Sequence, residues 1–193
     1  ELFRTRAIKV ASDGKPYIRR GAQNLPITTP AEHKNLEYCK GISSFETELT
    51  QADDNILFNT IPTITFMTQV VPTAEPNEWF KKQMLIREGK AAVAGILLFS
   101  DEPQAVLPKR CGIKVYRYKT KAEGSRETLA FQPETIEGNL YDQIKNAVEF
   151  SKKTIETIPK LGVKDLESVK YPEEALHEII TNAVIHRDYS VAD

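Results

Sequence analysis

The sequence has few of the residues on which metal sites, disulfide scaffolds and membrane spans depend. Its 193 residues include three histidines and two cysteines, Cys39 and Cys111, which lie far apart. So few thiols exclude a disulfide scaffold and predict a protein of the reducing cytoplasm. No cysteine or histidine spacing is typical of a structural zinc site. The longest apolar run, residues 91–99, is too short to cross a bilayer, so we expect no membrane partner.

What is present is typical of a globular chain, with 40% hydrophobic and 27% charged residues. The net charge of −1 hides an uneven distribution. Residues 1–40 carry 8 basic and 4 acidic side chains, and residues 109–132 carry 7 and 2, whereas the segments that follow each are acidic. This pattern excludes a uniformly basic nucleic-acid protein but permits two local basic surfaces.

Helix and strand signals alternate along the chain, which predicts an α+β fold or, alternatively, α/β, with helices packed on a mixed sheet. Asp13-Gly14 predicts a hairpin over residues 1–22. Thr29, followed by Pro30 and Glu32, predicts a helix that is capped by Thr29 and ends at about residue 39. Further helices are expected at 77–87, at 139–158 and from Pro172 onward. Strand candidates are 113–119 and 128–132, residues 159–169 are expected to be a connector, and 91–99 is a buried strand or a buried helix.

The last predicted helix holds the most informative pattern in the chain. Glu178, Asn182 and His186 are spaced i, i+4, i+8, so they project from one helix face. A carboxylate one turn from an amide can orient and deprotonate a water while the amide oxygen ligates Mg²⁺. By spacing alone, a solvated helix face remains the more common explanation, and a locally bonded C-terminal histidine explains His186.

The string from Glu174 to Ser190 resembles the N-box of GHKL-type ATPases. More closely, it resembles the ATPase segment of bacterial predicted transcriptional regulators, whose hallmark reads Ala-Leu-x-Glu-x-x-x-Asn-Ala-x-x-His-Arg-Asp-Tyr-Ser. In that family the chain begins with an Alba-type, Schlafen-like DNA-binding domain. The stretch from Tyr17 to Ala22 is similar to the end of that domain, and residues 95–104 and 138–144 are similar to later parts of the family.

The resemblance implies a role for each residue of this N-box. Glu178 would be the water-activating base and would contact the nucleotide, Asn182 would be the Mg²⁺ ligand, and ATP and DNA would be partners of the full-length protein. The nine glycines form neither the Asp-x-Gly-x-Gly turn nor the Gly-rich lid of a complete GHKL site. We therefore expect this chain to be an internal fragment that hydrolyses no ATP and binds none tightly.

The resemblance predicts that the chain has three parts. Residues 1–28 would be the C-terminal hairpin of the Alba-type domain, 29–132 a middle α+β region, and 133–193 a lead-in helix and the start of the ATPase module. Schlafen-like nuclease chemistry would need a carboxylate cluster, and the sequence shows none.

Two basic clusters are the candidates for nucleic-acid contact, because basic side chains neutralise phosphates while tyrosines stack on bases. Tyr116 and Tyr118 are interleaved with the second cluster, and on a strand they share a face with Lys114. The alternative is a solvated edge strand, where lysines discourage aggregation. The candidate residues are Arg4, Arg6, Arg19 and Arg20 in the first cluster and Lys114, Arg117 and Lys119 in the second.

Three functions are thus compatible with the sequence. The first is a fragment of a DNA-binding transcriptional regulator with an incomplete ATP-binding module. The second is a non-enzymatic protein-interaction module in which the Glu178 helix only packs, and the third is a nucleic-acid-processing enzyme of Schlafen-like type. Whether Glu178 and Asn182 are open or buried separates the first two, and the oligomeric state stays open.

Overall fold

The computed structural model describes residues 7–107, 111–120, 124–162 and 165–191. Helices and small antiparallel sheets alternate along the chain, which confirms the α+β prediction. Every strand pair in the described ranges is antiparallel, and the strands form four small sheets. The chain divides into two compact units, Glu1–Glu48 and Leu49–Asp193. The predicted three-part division by resemblance stays a prediction.

In the described residues 7–48, the first unit contains a two-stranded hairpin and an α-helix. Strand β1 (Tyr17–Arg20) pairs with β2 (Gln23–Pro26) across a turn at Gly21, whose φ is 61°. The predicted Asp13-Gly14 turn is present and is closed by a backbone hydrogen bond from Ala11 to Lys15. However, β1 pairs with the strand that follows it rather than with residues 7–10, since Gly21 offers the nearer turn. The elements are β1 (Tyr17–Arg20), β2 (Gln23–Pro26) and α1 (Pro30–Lys40).

Helix α1 begins and ends where its sequence signals predicted. The Glu32 amide donates to the Thr29 hydroxyl, and the Thr29 amide donates to the Glu32 carboxylate, which is a complete capping box. Backbone amides of Thr28 and Thr29 hold the pKa of Glu32 below its ordinary value. Gly41, with a left-handed φ of 65°, ends the helix.

The second unit begins with a three-stranded sheet surrounded by helices. The strand order is β3 (Leu49–Asp53), β5 (Lys90–Ala92), β4 (Ile86–Arg87), and two α-helices, α2 and α3, lie between β3 and β4 in the chain. Glu88 and Gly89 both have positive φ, which makes the tight two-residue turn between β4 and β5. The elements are β3 (Leu49–Asp53), α2 (Ile61–Gln69), α3 (Pro76–Lys82), β4 (Ile86–Arg87), β5 (Lys90–Ala92), α4 (Val93–Phe99) and α5 (Pro103–Val106).

Aromatic rings form the core of this half. Phe80 of α3 is fully buried and lies 4.8 Å, centroid to centroid, from Phe99 of α4. Phe66 of α2 contacts Trp79 at 4.9 Å and Phe99 at 5.3 Å. These ring contacts tie α2, α3 and α4 together, because each aromatic pair adds to the free energy of burial.

The rest of the unit is a second α+β layer. Helix α6 begins at its cap Asn139, as predicted, and it packs against both β6 and α7. Strand β6 pairs with β7, and β8 pairs with β9. The elements are β6 (Ile113–Val115), β7 (Glu134–Ile136), α6 (Leu140–Glu156), β8 (Pro159–Leu161), β9 (Leu166–Ser168) and α7 (Glu173–Ile185).

Five further sequence predictions differ from the structure. The strand expected over 113–119 ends at Val115. The run 91–99 is the end of a strand followed by a buried helix, so both alternatives hold for part of it. The helix expected over 77–87 ends at Lys82, because Met84 takes a positive φ and the chain turns into β4. The strand expected at 128–132 is a single bridge between Leu129 and Tyr118, and residues 134–136 pair with β6 instead. The connector 159–169 contains the β8–β9 hairpin.

Within the described ranges, no helix is long and apolar enough to cross a membrane. Cys39 is exposed and Cys111 is buried, and both are free thiols. Burial raises the pKa of the Cys111 thiol.

Candidate functional site

Helix α7 is held on one side and open on the other. Leu176 and Val184 are its buried residues, and both point toward the packed side of the helix, where α6 lies. Pro172 precedes the helix and Glu173 opens its first turn, where the helix dipole favours acidic groups. The Glu173 carboxylate also accepts a hydrogen bond from Lys152 of α6 at 2.6 Å.

The open face carries the three residues that the spacing singled out. Glu178, Asn182 and His186 are all exposed. None of their side chains makes a hydrogen bond or an ion pair to any residue that the structure describes. Ile179 and Ile185 flank them and are 60% and 65% exposed. A carboxylate and an amide one helical turn apart are therefore both available to a ligand.

An open cleft of about 500 Å³ adjoins Glu178 near the start of the helix. Its lining is acidic apart from one histidine, and it consists of Glu173, Glu174, His177 and Glu178. No group of three metal-ligating side chains is close enough to hold a metal ion within the described chain. Carboxylate and amide oxygens, as on Glu178 and Asn182, are the kind of ligand that Mg²⁺ takes beside phosphate and water.

The opposite face of α7 borders a largely apolar cavity of about 330 Å³. Ile180, Ala183 and Ile113 are among its lining residues. At one end, Arg187 donates to the Gly112 carbonyl at 3.0 Å and lies over the Tyr189 ring at 5.3 Å. These contacts anchor the chain after α7 to β6, so this part of the predicted N-box string has a structural role.

The first basic cluster falls partly on β1. Arg4 and Arg6 lie outside the described residues. Arg19 and Arg20 are exposed, but as neighbours on a strand they point to opposite faces of the hairpin. Arg19 pairs across the hairpin with Asn24, and its side chain donates to the Gly21 carbonyl at 3.2 Å. The two arginines therefore cannot both contact one flat surface.

Exposed and half-buried residues alternate across the second basic cluster. Lys114, Tyr116 and Tyr118 are exposed, while the shared face expected for them stays a prediction, because β6 ends at Val115. Arg117 is half-buried and donates to the Thr157 hydroxyl at 2.9 Å and to the Thr154 carbonyl at 3.4 Å. Arg117 is thus engaged at the C-terminal end of α6, while Lys119 is exposed.

One contact in this cluster has no signal in the sequence. A Cβ atom added to Gly124 would lie 2.5–2.7 Å from three carbons of the Tyr118 ring. The ring therefore rests against the backbone at Gly124, which only a glycine permits. A glycine beyond a strand usually indicates a turn, so sequence reasoning could not identify this role.

Comparison with known proteins supports the fold alone. No family model and no curated protein matches this chain. The chain is similar to the crystal structure of the DIP2311 protein from Corynebacterium diphtheriae, with a TM-score of 0.51 and 15% sequence identity. The match covers 94% of this chain and 36% of that one, so this chain spans about a third of the other's length.

Proposed function

We propose that this chain is part of a DNA-binding transcriptional regulator in which α7 supplies the catalytic carboxylate and the Mg²⁺ ligand of a nucleotide site. One observation carries the proposal: Glu178 and Asn182 lie one turn apart on an open helix face, with no partner in the described chain. Side chains that only support packing would be covered or bonded. The resemblance of residues 174–190 to a GHKL N-box supplies the identity of the ligand.

The chemistry of the two side chains suits phosphate handling. The Asn182 amide oxygen is a hard ligand for Mg²⁺, and the Glu178 carboxylate can accept a proton from a water beside it. When bound, Mg²⁺ would neutralise phosphate charge, which is the main need of phosphoryl transfer. The chain lacks a Gly-rich lid, so we propose weak nucleotide binding without turnover.

DNA contact is the second part of the proposal, and the β1–β2 hairpin supports it. All eight residues of the hairpin strands are exposed, including Arg19 and Arg20. A two-stranded ribbon with arginines on both faces can enter a groove and contact the phosphates on both sides of it. Arginine suits such contacts because its planar fork binds phosphate oxygens in pairs.

The nucleotide site is tested by NMR titration of the ¹⁵N-labelled protein with Mg²⁺-ATP to millimolar concentration. We expect shifts of the α7 amides around Glu178 and Asn182, and we expect them to be lost without Mg²⁺ and in Asn182→Ala. Asn146→Ala is the matched control, because Asn146 is an exposed asparagine on α6. This control should titrate like the unchanged protein.

One result would contradict the nucleotide site, and another would contradict the expected absence of turnover. A folded protein whose α7 amides do not move would contradict the site and favour the interaction-module alternative. ATP turnover that Glu178→Ala abolishes would support the site but would show that neither the Gly-rich lid nor the Asp-x-Gly-x-Gly turn is needed for hydrolysis.

The DNA contact is tested by the salt dependence of duplex binding. Each phosphate contact contributes about −0.9 to the slope of log affinity against log salt. We expect Arg19→Ala with Arg20→Ala to make that slope shallower, whereas Lys145→Ala on α6 should leave it unchanged. A slope that is the same in all three proteins would exclude the hairpin as the DNA contact.

A further inference from the structure

Exposed and half-buried side chains alternate from Lys114 to Tyr118, from β6 to the bridge between Tyr118 and Leu129. Lys114 is exposed, Tyr116 is 49% exposed and Tyr118 is 43% exposed. Val115 and Arg117 alternate with them and are half-buried. In the described chain, neither tyrosine hydroxyl makes a hydrogen bond. Two large aromatic rings that are two residues apart in the sequence are thus both partly exposed to solvent, as is the nearby Lys114.

The backbone beneath the two rings is fixed on both sides. The Lys119 amide donates to the Thr128 carbonyl at 2.7 Å, and the Ala130 amide donates to the Arg117 carbonyl at 2.8 Å. The Arg117 side chain joins the same segment to the C-terminal end of α6. Because these bonds lie on both sides of Tyr118, the segment presents its outer face without having to order itself first.

Tyr118 itself is set in place by Gly124. The glycine backbone lies so close to the ring that no side chain would fit between them. One side of the ring is therefore supported, and the exposed remainder of the ring is available for stacking. A rigid aromatic ring loses little entropy on binding, which favours contact with a flat partner.

We propose that Lys114, Tyr116 and Tyr118 form a stacking surface for single-stranded nucleic acid. Tyr116 follows the end of β6 and Tyr118 forms a bridge with Leu129, and residues two apart in extended chain are separated by about 7 Å, so each ring can take its own base. Residues 111–120 contain three basic and no acidic side chains, which suits the phosphate backbone of such a strand. Exposed rings stack only on unpaired bases, so a single strand fits better than a duplex.

This inference rests on the part of the proposed function that makes nucleic acid a partner, but on different residues. It involves neither the Glu178 site nor the β1–β2 hairpin. Tyrosine variants therefore test the stacking surface, whereas the arginine variants of β1 test duplex contact. Each can fail while the other stands.

The experiment measures the fluorescence anisotropy of a labelled ten-nucleotide oligothymidylate at low salt. We expect Tyr116→Ala with Tyr118→Ala to weaken binding at least fivefold for each ring removed. Tyr116→Phe with Tyr118→Phe should keep most of the affinity, because the rings stack and the hydroxyls do not. Tyr141→Ala is the matched control, since Tyr141 is an exposed tyrosine on α6.

The loss of one lysine gives a second readout. Lys114→Ala should make the salt slope of oligothymidylate binding shallower by about 0.7, the value for one phosphate contact on a single strand. If the double alanine variant does not fold, Tyr116→Ala alone carries the test, because Tyr116 is the more exposed of the two rings.

Three results would overturn the proposal. The first is the absence of binding to oligothymidylate at low salt. The second is binding that survives loss of both rings or falls equally in Tyr141→Ala. The third is equal affinity for the matching duplex with no effect of the tyrosine variants, which would show that only the positive charge matters.

Discussion

Helices α4 and α7 are both rich in aliphatic residues, yet they are packed in opposite ways. Five of the seven residues of α4 are buried, whereas only two of the thirteen residues of α7 are. Helix α4 contacts α2, α5, α6 and strand β5, while the main contact of α7 is α6. A helix that is buried over most of its surface, as α4 is apart from Leu98 and Ala94, is fixed by packing. A helix packed on one side keeps a face for a ligand, and Glu178 and Asn182 lie on that face.

The largest expected difference in stability between α4 and α7 comes from replacing an isoleucine of each helix with lysine. Ile96 of α4 is fully buried, so Ile96→Lys would bury an unpaired charge and lower the free energy of unfolding by more than about 4 kcal/mol. Ile179 of α7 is 60% exposed, so Ile179→Lys should change it by less than about 0.5 kcal/mol. Urea unfolding followed by Trp79 fluorescence measures both. A large loss in the α7 variant would show that its open face is covered in solution.

Smaller side-chain changes sharpen the same contrast. A Cβ atom on Gly95 of α4 would lie 2.9 Å from a Leu57 methyl carbon and 3.0 Å from the Leu85 carbonyl oxygen. We expect Gly95→Ala to cost about 1–2 kcal/mol, because overpacking outweighs the better helix propensity of alanine. Ala183→Gly in α7 should cost about 1 kcal/mol through propensity alone. Calorimetric melting compares the two, and a stabilised Gly95→Ala would mean that α4 can shift to make room.

The sequence predicted those elements whose ends have their own local signals. Thr29 with Glu32, Asn139 before α6 and Pro172 before α7 all begin helices where expected. These caps act within one turn, so no tertiary information is needed.

The sequence predicts no helix in the region before α3, because a proline inside a helix normally breaks it. Pro62 and Pro76 lie in the first turns of α2 and α3. Proline is tolerated there because a backbone N–H in the first turn has no hydrogen-bond partner within the helix. The β8–β9 hairpin was missed for another reason. Its strands have three residues each and all are exposed, so no hydrophobic alternation marks them.

In the candidate sites too, the sequence predicts local features but not tertiary contacts. Helical spacing predicted that Glu178 and Asn182 share a face, and strand spacing predicted the same for Lys114 and Tyr116. Neither spacing could show which partners cover a side chain. The bonds from Arg117 to α6 and the approach of Gly124 to Tyr118 join residues by tertiary packing, so they emerge only in the folded chain.

The smallest expected effect concerns the ion pair that joins α6 to the start of α7. Lys152 donates to Glu173 at 2.6 Å, and this hydrogen bond raises the pKa of Lys152. A raised pKa in the folded state stabilises the protein below the unfolded value of 10.5, and the effect is lost as the pH rises through the folded value. Lys152→Gln should therefore melt slightly below the unchanged protein at pH about 8 and together with it above the raised pKa.

Comparing the melting curves of Lys152→Gln and the unchanged protein at each pH shows whether α7 is held by its buried residues alone or also by the Lys152 side chain. Both partners of the pair are exposed, so solvent and salt screen their attraction. If Leu176 and Val184 hold the helix, Lys152→Gln has only this slight and pH-dependent effect. A large difference that persists above the raised pKa would show that the Lys152 side chain packs against α7 through its aliphatic stem. In that case α7 would be held on two sides, and the contrast with α4 would be weaker than the buried residues alone indicate.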